Sequence, residues 1–171
     1  MADALNILRT FSTVGTWLTD DVDPLTHRMA EAWSQRYTNG TGDDEANAVY
    51  LERLTFGGGF SFGYDLEANF KDATGTTIVF TAVKEFALIH HTPDNTSGLY
   101  ITGDWFSDLA PGLQFQTTSS TNAMNVFPGG AMWISNPVGG FAVGSDGRVV
   151  SVTNLDGSNA CDVTWVMIGT Q

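Results

Sequence analysis

Short stretches of alternating apolar and polar residues recur along the chain, cut apart by glycine, proline and asparagine. In Phe60–Leu66, Phe60, Phe62, Tyr64 and Leu66 alternate with Ser61, Gly63 and Asp65. That period of two is the signature of a half-buried strand. The segment 160–168 repeats it: Cys161, Val163, Trp165 and Met167 share one face, and Asp162 and Thr164 begin the other. Val166 and Ile168 turn that second face apolar, which predicts a strand end covered on both sides. In 46–56 the two phases are Ala48, Tyr50, Glu52, Leu54 and Val49, Leu51, Arg53, Thr55. The long apolar stretch 76–91 predicts two strands, or one strand bent near Ala82-Val83. Shorter strands are predicted at 99–102, 114–118, 122–127, 131–135, 141–143 and 148–154.

The breakers supply the turns. Gly57-Gly58-Gly59 leads from strand to strand, and 92–97 and Pro128-Gly129-Gly130 are turn sequences. Over 24–37 the pattern is ambiguous: Leu25, Met29, Ala32, Trp33 and Arg36 have helical spacing, whereas Met29, Trp33 and Tyr37 share one face of a strand. The Asn39-Gly40 that follows favours the strand, leading by a hairpin into one over 46–56, and Asp156-Gly157 predicts another hairpin between 148–154 and 160–168. The expected fold is an all-β, antiparallel, jelly-roll-like β-sandwich of about ten to twelve short strands. Residues 1–23 alternate weakly and read as an extended N-terminal arm or edge strand. Residues 24–171 read as a single sandwich domain.

Composition narrows the function. The chain has 171 residues, 42% of them hydrophobic, enough for a core without metals or disulfides. It carries 19 acidic residues against 7 basic ones, a net charge of −12. A phosphate backbone or an anionic membrane would repel such a surface, so neither nucleic acid nor membrane is an expected partner. Met1-Ala2-Asp3-Ala4 opens no basic, apolar leader, so folding in a cytoplasm is expected.

The chemistry-bearing residues do not converge. His90 and His91 are adjacent, so on a strand they point to opposite faces and cannot readily share one ion. Asn39, Thr41, Asp43 and Glu45 alternate, but a solvated turn explains them better than a calcium loop. Asp20, Asp21 and Asp23 form a second acidic run. Cys161, the lone cysteine, reads as a small buried hydrophobe. No Gly-x-Ser-x-Gly elbow occurs. Hence no catalytic residue, no cofactor and no metal is expected. Trp33, Trp133 and Trp165 sit in strand patterns and are expected inside. Trp105 and Phe106, in a loop, are expected to contact a partner, as are Leu5, Ile7, Phe11 and Trp17 of the arm.

One resemblance runs through these patches. Arg36-Tyr37-Thr38-Asn39-Gly40-Thr41-Gly42-Asp43-Asp44-Glu45-Ala46, then Tyr64-Asp65-Leu66 and Phe80-Thr81-Ala82-Val83-Lys84, follow in an order similar to that of small virion proteins of tailed bacteriophages. Pro128-Gly129-Gly130, Asn136-Pro137-Val138-Gly139-Gly140-Phe141-Ala142-Val143, Val152-Thr153-Asn154 and Val166-Met167-Ile168-Gly169 continue it, so that residues 28–169 are covered. The resemblance implies a structural virion protein, a capsid cement or decoration protein on the capsid exterior. It would be a homotrimer that binds the major capsid protein and stabilises the shell. No catalytic residue carries over. The alternative is a carbohydrate-binding, receptor-binding β-sandwich module of a phage tail or fibre, motivated by the tryptophans.

Overall fold

The computed structural model describes residues 5–17, 25–94, 97–105, 123–144 and 147–171. Two compact units divide the chain, Met1–Asn39 and Gly40–Gln171. The first unit is a two-stranded antiparallel ribbon of β1 (Leu5–Trp17) and β2 (Leu25–Tyr37), with 13 residues in each strand. Its register runs from Leu5 opposite Tyr37 to Trp17 opposite Leu25.

The second unit holds eleven strands: β3 (Ala48–Phe56), β4 (Ser61–Asp65), β5 (Phe70–Lys71), β6 (Thr77–Ile78), β7 (Ala82–His90), β8 (Leu99–Thr102), β9 (Met124–Val126), β10 (Ala131–Ser135), β11 (Phe141–Ala142), β12 (Val149–Asn154) and β13 (Cys161–Thr170). The expected ten to twelve strands are there, and 76–91 is two strands, β6 and β7. The predicted strand at 114–118 lies outside the described residues.

Two sheets form the sandwich. One has the order β10-β7-β13-β3, with β11 also paired to β7; the other has the order β9-β8-β12-β4. Position by position, the chain links each strand of one sheet to its counterpart in the other: β3 to β4, β7 to β8, β9 to β10, β12 to β13. This is the eight-stranded jelly roll.

That topology overturns both predicted hairpins. β3 pairs with β13 and not with β2, whose partner is β1. Asn39-Gly40 therefore connects the two units. β12 pairs with β4 and β8, while β13 pairs with β3 and β7. Asp156-Gly157 is an arch that crosses between sheets. Turn chemistry records where a chain reverses; it does not record which strand the ladder hydrogen bonds select.

The four arches meet at one end of the sandwich. The amide of Gly59 donates to Asp156 O at 2.8 Å, Leu155 N to Gly98 O at 3.0 Å, and His90 N to Gly130 O at 2.9 Å. The approach is close enough that a Cβ on Gly58 would lie 2.8 Å from the Ser158 carbonyl carbon.

Between the sheets the inward phases meet. Val163, Trp165 and Met167 of β13, with Phe86 and Leu88 beside them on β7 of the same sheet, face Val150 and Val152 of β12 and Leu99 and Ile101 of β8, all fully buried. Trp165 stands edge-on to Tyr64, Phe70 and Phe86, with ring centroids 4.7, 5.5 and 5.8 Å away. At the far end of β13 the second face is indeed covered, with Ile168 and Thr170 buried. There the ladder to β7 shifts register between Ile168 and Gly169. Gly169 is required, because a Cβ would stand 2.1 Å from Ala82 O.

Candidate functional site

The predicted contact residues separate into three groups. Leu5, Ile7, Phe11 and Trp17 fall at alternate positions of β1, opposite Tyr37, Gln35, Glu31 and Leu25. Phe106 lies outside the described residues. Trp105 corrects the expectation of a loop contact, because it is fully buried. Its ring packs edge-on to Phe86 (5.8 Å) and Phe141 (6.4 Å). Asp104 directs it inward: one carboxylate oxygen accepts both Trp105 N (2.8 Å) and Val149 N (2.6 Å). The Trp-Phe pair looked like a surface motif because a core residue at a strand end has no alternation to betray it.

Trp133 moves the opposite way. It was expected inside and is 41% exposed. In β10 it is Met132 that faces the core; Trp133 sits opposite Ala87, on the outer face. Its indole N–H donates to Glu85 Oε2 at 2.6 Å, and Ser135 Oγ donates to Glu85 Oε1 at 3.0 Å. Trp165 is internal, as predicted.

The remaining chemical candidates resolve into turn and core structure. Glu45 turns back on its own loop, where its carboxylate accepts Gly42 N at 2.7 Å. The Lys84 ammonium, buried, donates to Gly42 O, to Pro137 O (3.1 Å) and to Val138 O (3.4 Å). A lysine cation thus occupies the carbonyl-lined place beside this loop. Among the described residues no cluster of three or more His, Cys, Asp or Glu could hold a metal. Cys161 is buried, and desolvation, followed by the charge of Asp162, pushes its thiol up to about 11. Such a thiol is no nucleophile near neutral pH. Asp20, Asp21 and Asp23 lie outside the described residues.

The two histidines diverge as expected, His91 exposed and His90 only 1% exposed. Thr92 N donates to His90 Nδ1 at 3.2 Å, so the neutral ring carries its proton on Nε2, which is buried without a partner. Desolvation first, then the charge of His91, lowers its pKa below the ordinary value of about 6.5. The unfolded chain therefore binds a proton in a range where the folded chain refuses it. This contribution to stability is complete above pH ~6.5 and is lost as pH falls through the folded-state pKa. We expect the melting temperature to fall between about pH 7 and 5, and His90→Gln to flatten that slope relative to the native chain. Parallel slopes in the two proteins would refute the assignment.

What the fold leaves available is surface, and its outer faces differ. Beyond β9-β8-β12-β4 the outward positions include the polar Tyr100, Thr102, Asn125, Ser151 and Thr153 and the apolar Val149, with a Ser61–Thr153 hydroxyl pair at 2.8 Å. The other sheet carries an apolar row, Leu51–Val166–Ala87–Trp133, in register across four strands, exposed at its two ends, Leu51 and Trp133, and buried at Ala87. Leu51 is 67% exposed, with Val49 beside it on β3. Arg53 and Asp162 on this face pair at 3.0 Å. Both are well exposed, so the pair contributes at most about 1 kcal/mol, but it neutralises the face. At the arch end, Phe127 (66% exposed) and Leu155 are apolar tips brought together beside Gly98. Sequence reading missed Leu51, Val49, Phe127 and Leu155. The available signal was in 46–56, where both strand phases are apolar.

β3 is an edge strand, and Glu52 occupies one of its inward positions. The Tyr50 hydroxyl donates to Glu52 Oε2 at 2.6 Å. Burial and that carboxylate raise the Tyr50 pKa, so the phenol stays protonated. A charge at an inward edge position discourages unplanned strand addition.

Among the described residues no helix is long and apolar enough to cross a membrane. No family model, no curated protein and no solved structure matches the chain.

Proposed function

We propose that this chain is a structural virion protein, a capsid cement or decoration protein that binds the outside of the major capsid shell and stabilises it. The observation that carries the reading is a jelly roll that exposes Val49, Leu51 and Trp133 on one outer sheet face and Phe127 and Leu155 at the arch end, with Phe62, Val79 and Val138 exposed elsewhere. Such residues on an otherwise polar surface mark contact sites, and viral capsid domains share this architecture. A net charge of −12 favours a protein partner over nucleic acid and favours the outside of a DNA-filled shell. Copies repeated over a shell turn modest contacts of about 1,200–2,000 Å² each into strong attachment. The order of turn motifs along residues 28–169 supports the same assignment.

The test is mechanical. Particles with and without this protein are taken through osmotic shock and a thermal ramp. The decorated particles should survive conditions that rupture the bare ones; equal rupture would remove the cementing role.

A second reading, a carbohydrate-binding module of a tail or fibre, rests on the half-exposed Trp133 indole with its acidic neighbour Glu85. A glycan array separates the two. Binding lost in Trp133→Ala supports the module, and an array without signal removes it.

A further inference from the structure

Along one side of the sandwich the two sheets end in β3 and β4. Residues opposite each other in a ladder share a face of the sheet, so the register shows what points inward along that side. On β3, Glu52 lies opposite Trp165 of β13, a fully buried ring. On β4, Phe62 and Tyr64 lie opposite Val152 and Val150 of β12, both fully buried. Trp165 reaches Tyr64 across the sandwich, with ring centroids 4.7 Å apart. The carboxylate of one edge strand and the two rings of the other therefore border the same opening. Phe62 and Tyr64 stand 4.8 Å apart at 72°, a corner rather than a stack. Phe62 is 45% exposed, so the corner meets solvent.

Glu52 is the charge that this opening leaves uncompensated. Its Oε2 accepts the Tyr50 hydroxyl at 2.6 Å, which leaves acceptor capacity on Oε1. Among the described residues it has no ion-pair partner. Arg53 is committed to Asp162 at 3.0 Å, Arg148 to Asp65 at 3.2 Å and Glu67 at 3.0 Å, and Lys84 to backbone carbonyls. Lys71 follows the buried Phe70 on β5 and takes the other face of that strand. Burial first, then the charge of Glu52, raises the Tyr64 pKa, so a neutral phenol ring stands beside the carboxylate.

A carboxylate bordered by aromatic rings matches one chemistry. It supplies the counter-charge, and ring faces attract a cation within about 6 Å of their centroids. An anion is repelled by both, and an apolar group would bury Glu52 without a partner. Trp133 and Glu85 do not offer the same site. Glu85 is fully buried, and its two oxygens already accept from Trp133 and Ser135.

We propose that the opening between β3 and β4 docks a basic side chain, arginine or lysine, of a protein partner, with Glu52 as counter-ion and Phe62 and Tyr64 as the surface on which it rests. Guanidinium suits it best, because its plane stacks on a ring while its N–H groups reach the carboxylate. Glu52 and Phe62 are both exposed, so the corner covers only one side of the cation. A protein covers the other side; a free ammonium ion does not. The site stands independently of the virion reading, and either can fail without the other.

Titration of the full chain with arginine amide, followed by nuclear magnetic resonance, tests it. Saturable shifts should centre on Glu52, Phe62 and Tyr64. Glu52→Gln, which keeps an acceptor for Tyr50, should weaken binding by about tenfold or more. Phe62→Leu, which keeps apolar volume, should weaken it by about threefold or more. Asp43→Asn, the same loss of charge in the 39–45 loop, and Trp133→Ala should leave it within about twofold. Citrulline amide, similar in shape without the charge, should not saturate. Shifts that never saturate, equal binding in Glu52→Gln, or saturation by citrulline amide would overturn the proposal. Tetramethylammonium binding as tightly as arginine amide would overturn the assignment to a partner's side chain.

Discussion

Trp165→Ala should lower the unfolding free energy by about 3–5 kcal/mol, the range for deleting a large aromatic from a packed core. Trp165 is the residue on which both sheets converge: it is fully buried on β13, the strand flanked by β7 and β3. Its ring touches Tyr64 from the opposite sheet, Phe70 from β5 and Phe86 from β7. No neighbour can swing in, because each of these rings is held in its own edge-to-face contact. The indole N–H has no hydrogen-bond partner, so its removal relieves one desolvated donor and offsets only a small part of the cavity cost. Trp165→Phe should recover more than half of the loss. Urea unfolding of the three proteins measures it, and a loss under 1 kcal/mol for alanine would contradict the packing described.

Asn154→Ala should be the most damaging polar substitution, at about 2–4 kcal/mol, since each buried group left unpaired costs about 1–3 kcal/mol. Its side-chain amide donates to Gly57 O (3.0 Å), Asn159 O (2.8 Å) and, more distantly, Phe56 O (3.4 Å). Its carbonyl oxygen accepts Asp156 N at 3.1 Å. One buried residue thus ties the β12–β13 arch to the β3–β4 arch. Asp156 closes the same arch, with its carboxylate accepting Ser158 N and Asn159 N, both at 2.9 Å. Beyond the lower stability, amides of Gly59 and Leu155 should lose hydrogen-exchange protection in Asn154→Ala, whereas those of β7 should keep theirs at matched stability. Unchanged exchange at Gly59 would mean that the arches hold without this bridge.

These residues also mark how far the sequence was legible. β13 was readable to its last turns because Cys161, Val163, Trp165 and Met167 alternate without a break. The jelly-roll class followed from many such segments with turn signals between them. Pairing was not readable, because a ladder partner can lie a hundred residues away. Asp156-Gly157 looks locally like a hairpin, and it is the pairing of β12 with β4 and β8, and of β13 with β3 and β7, that makes it a crossing between sheets. In the same way β2 found its partner upstream, in β1, rather than across Asn39-Gly40. Tryptophans were legible only where alternation was strict. Trp165 was placed correctly, Trp133 was assigned to the wrong phase of a five-residue strand, and Trp105 had no phase at all. The surface was least legible, because exposed Leu51 and half-buried Leu54 differ only by which side of β3 meets the core.

The central claim is that this jelly roll works by its outer surface as a part of a virion shell. An image of the assembled particle at a resolution that separates subunits tests it most directly. The account predicts density for this chain on the outside of the capsid, seated over junctions between major capsid subunits. Density confined to the tail or to the interior of the shell, or no density at all, would contradict it.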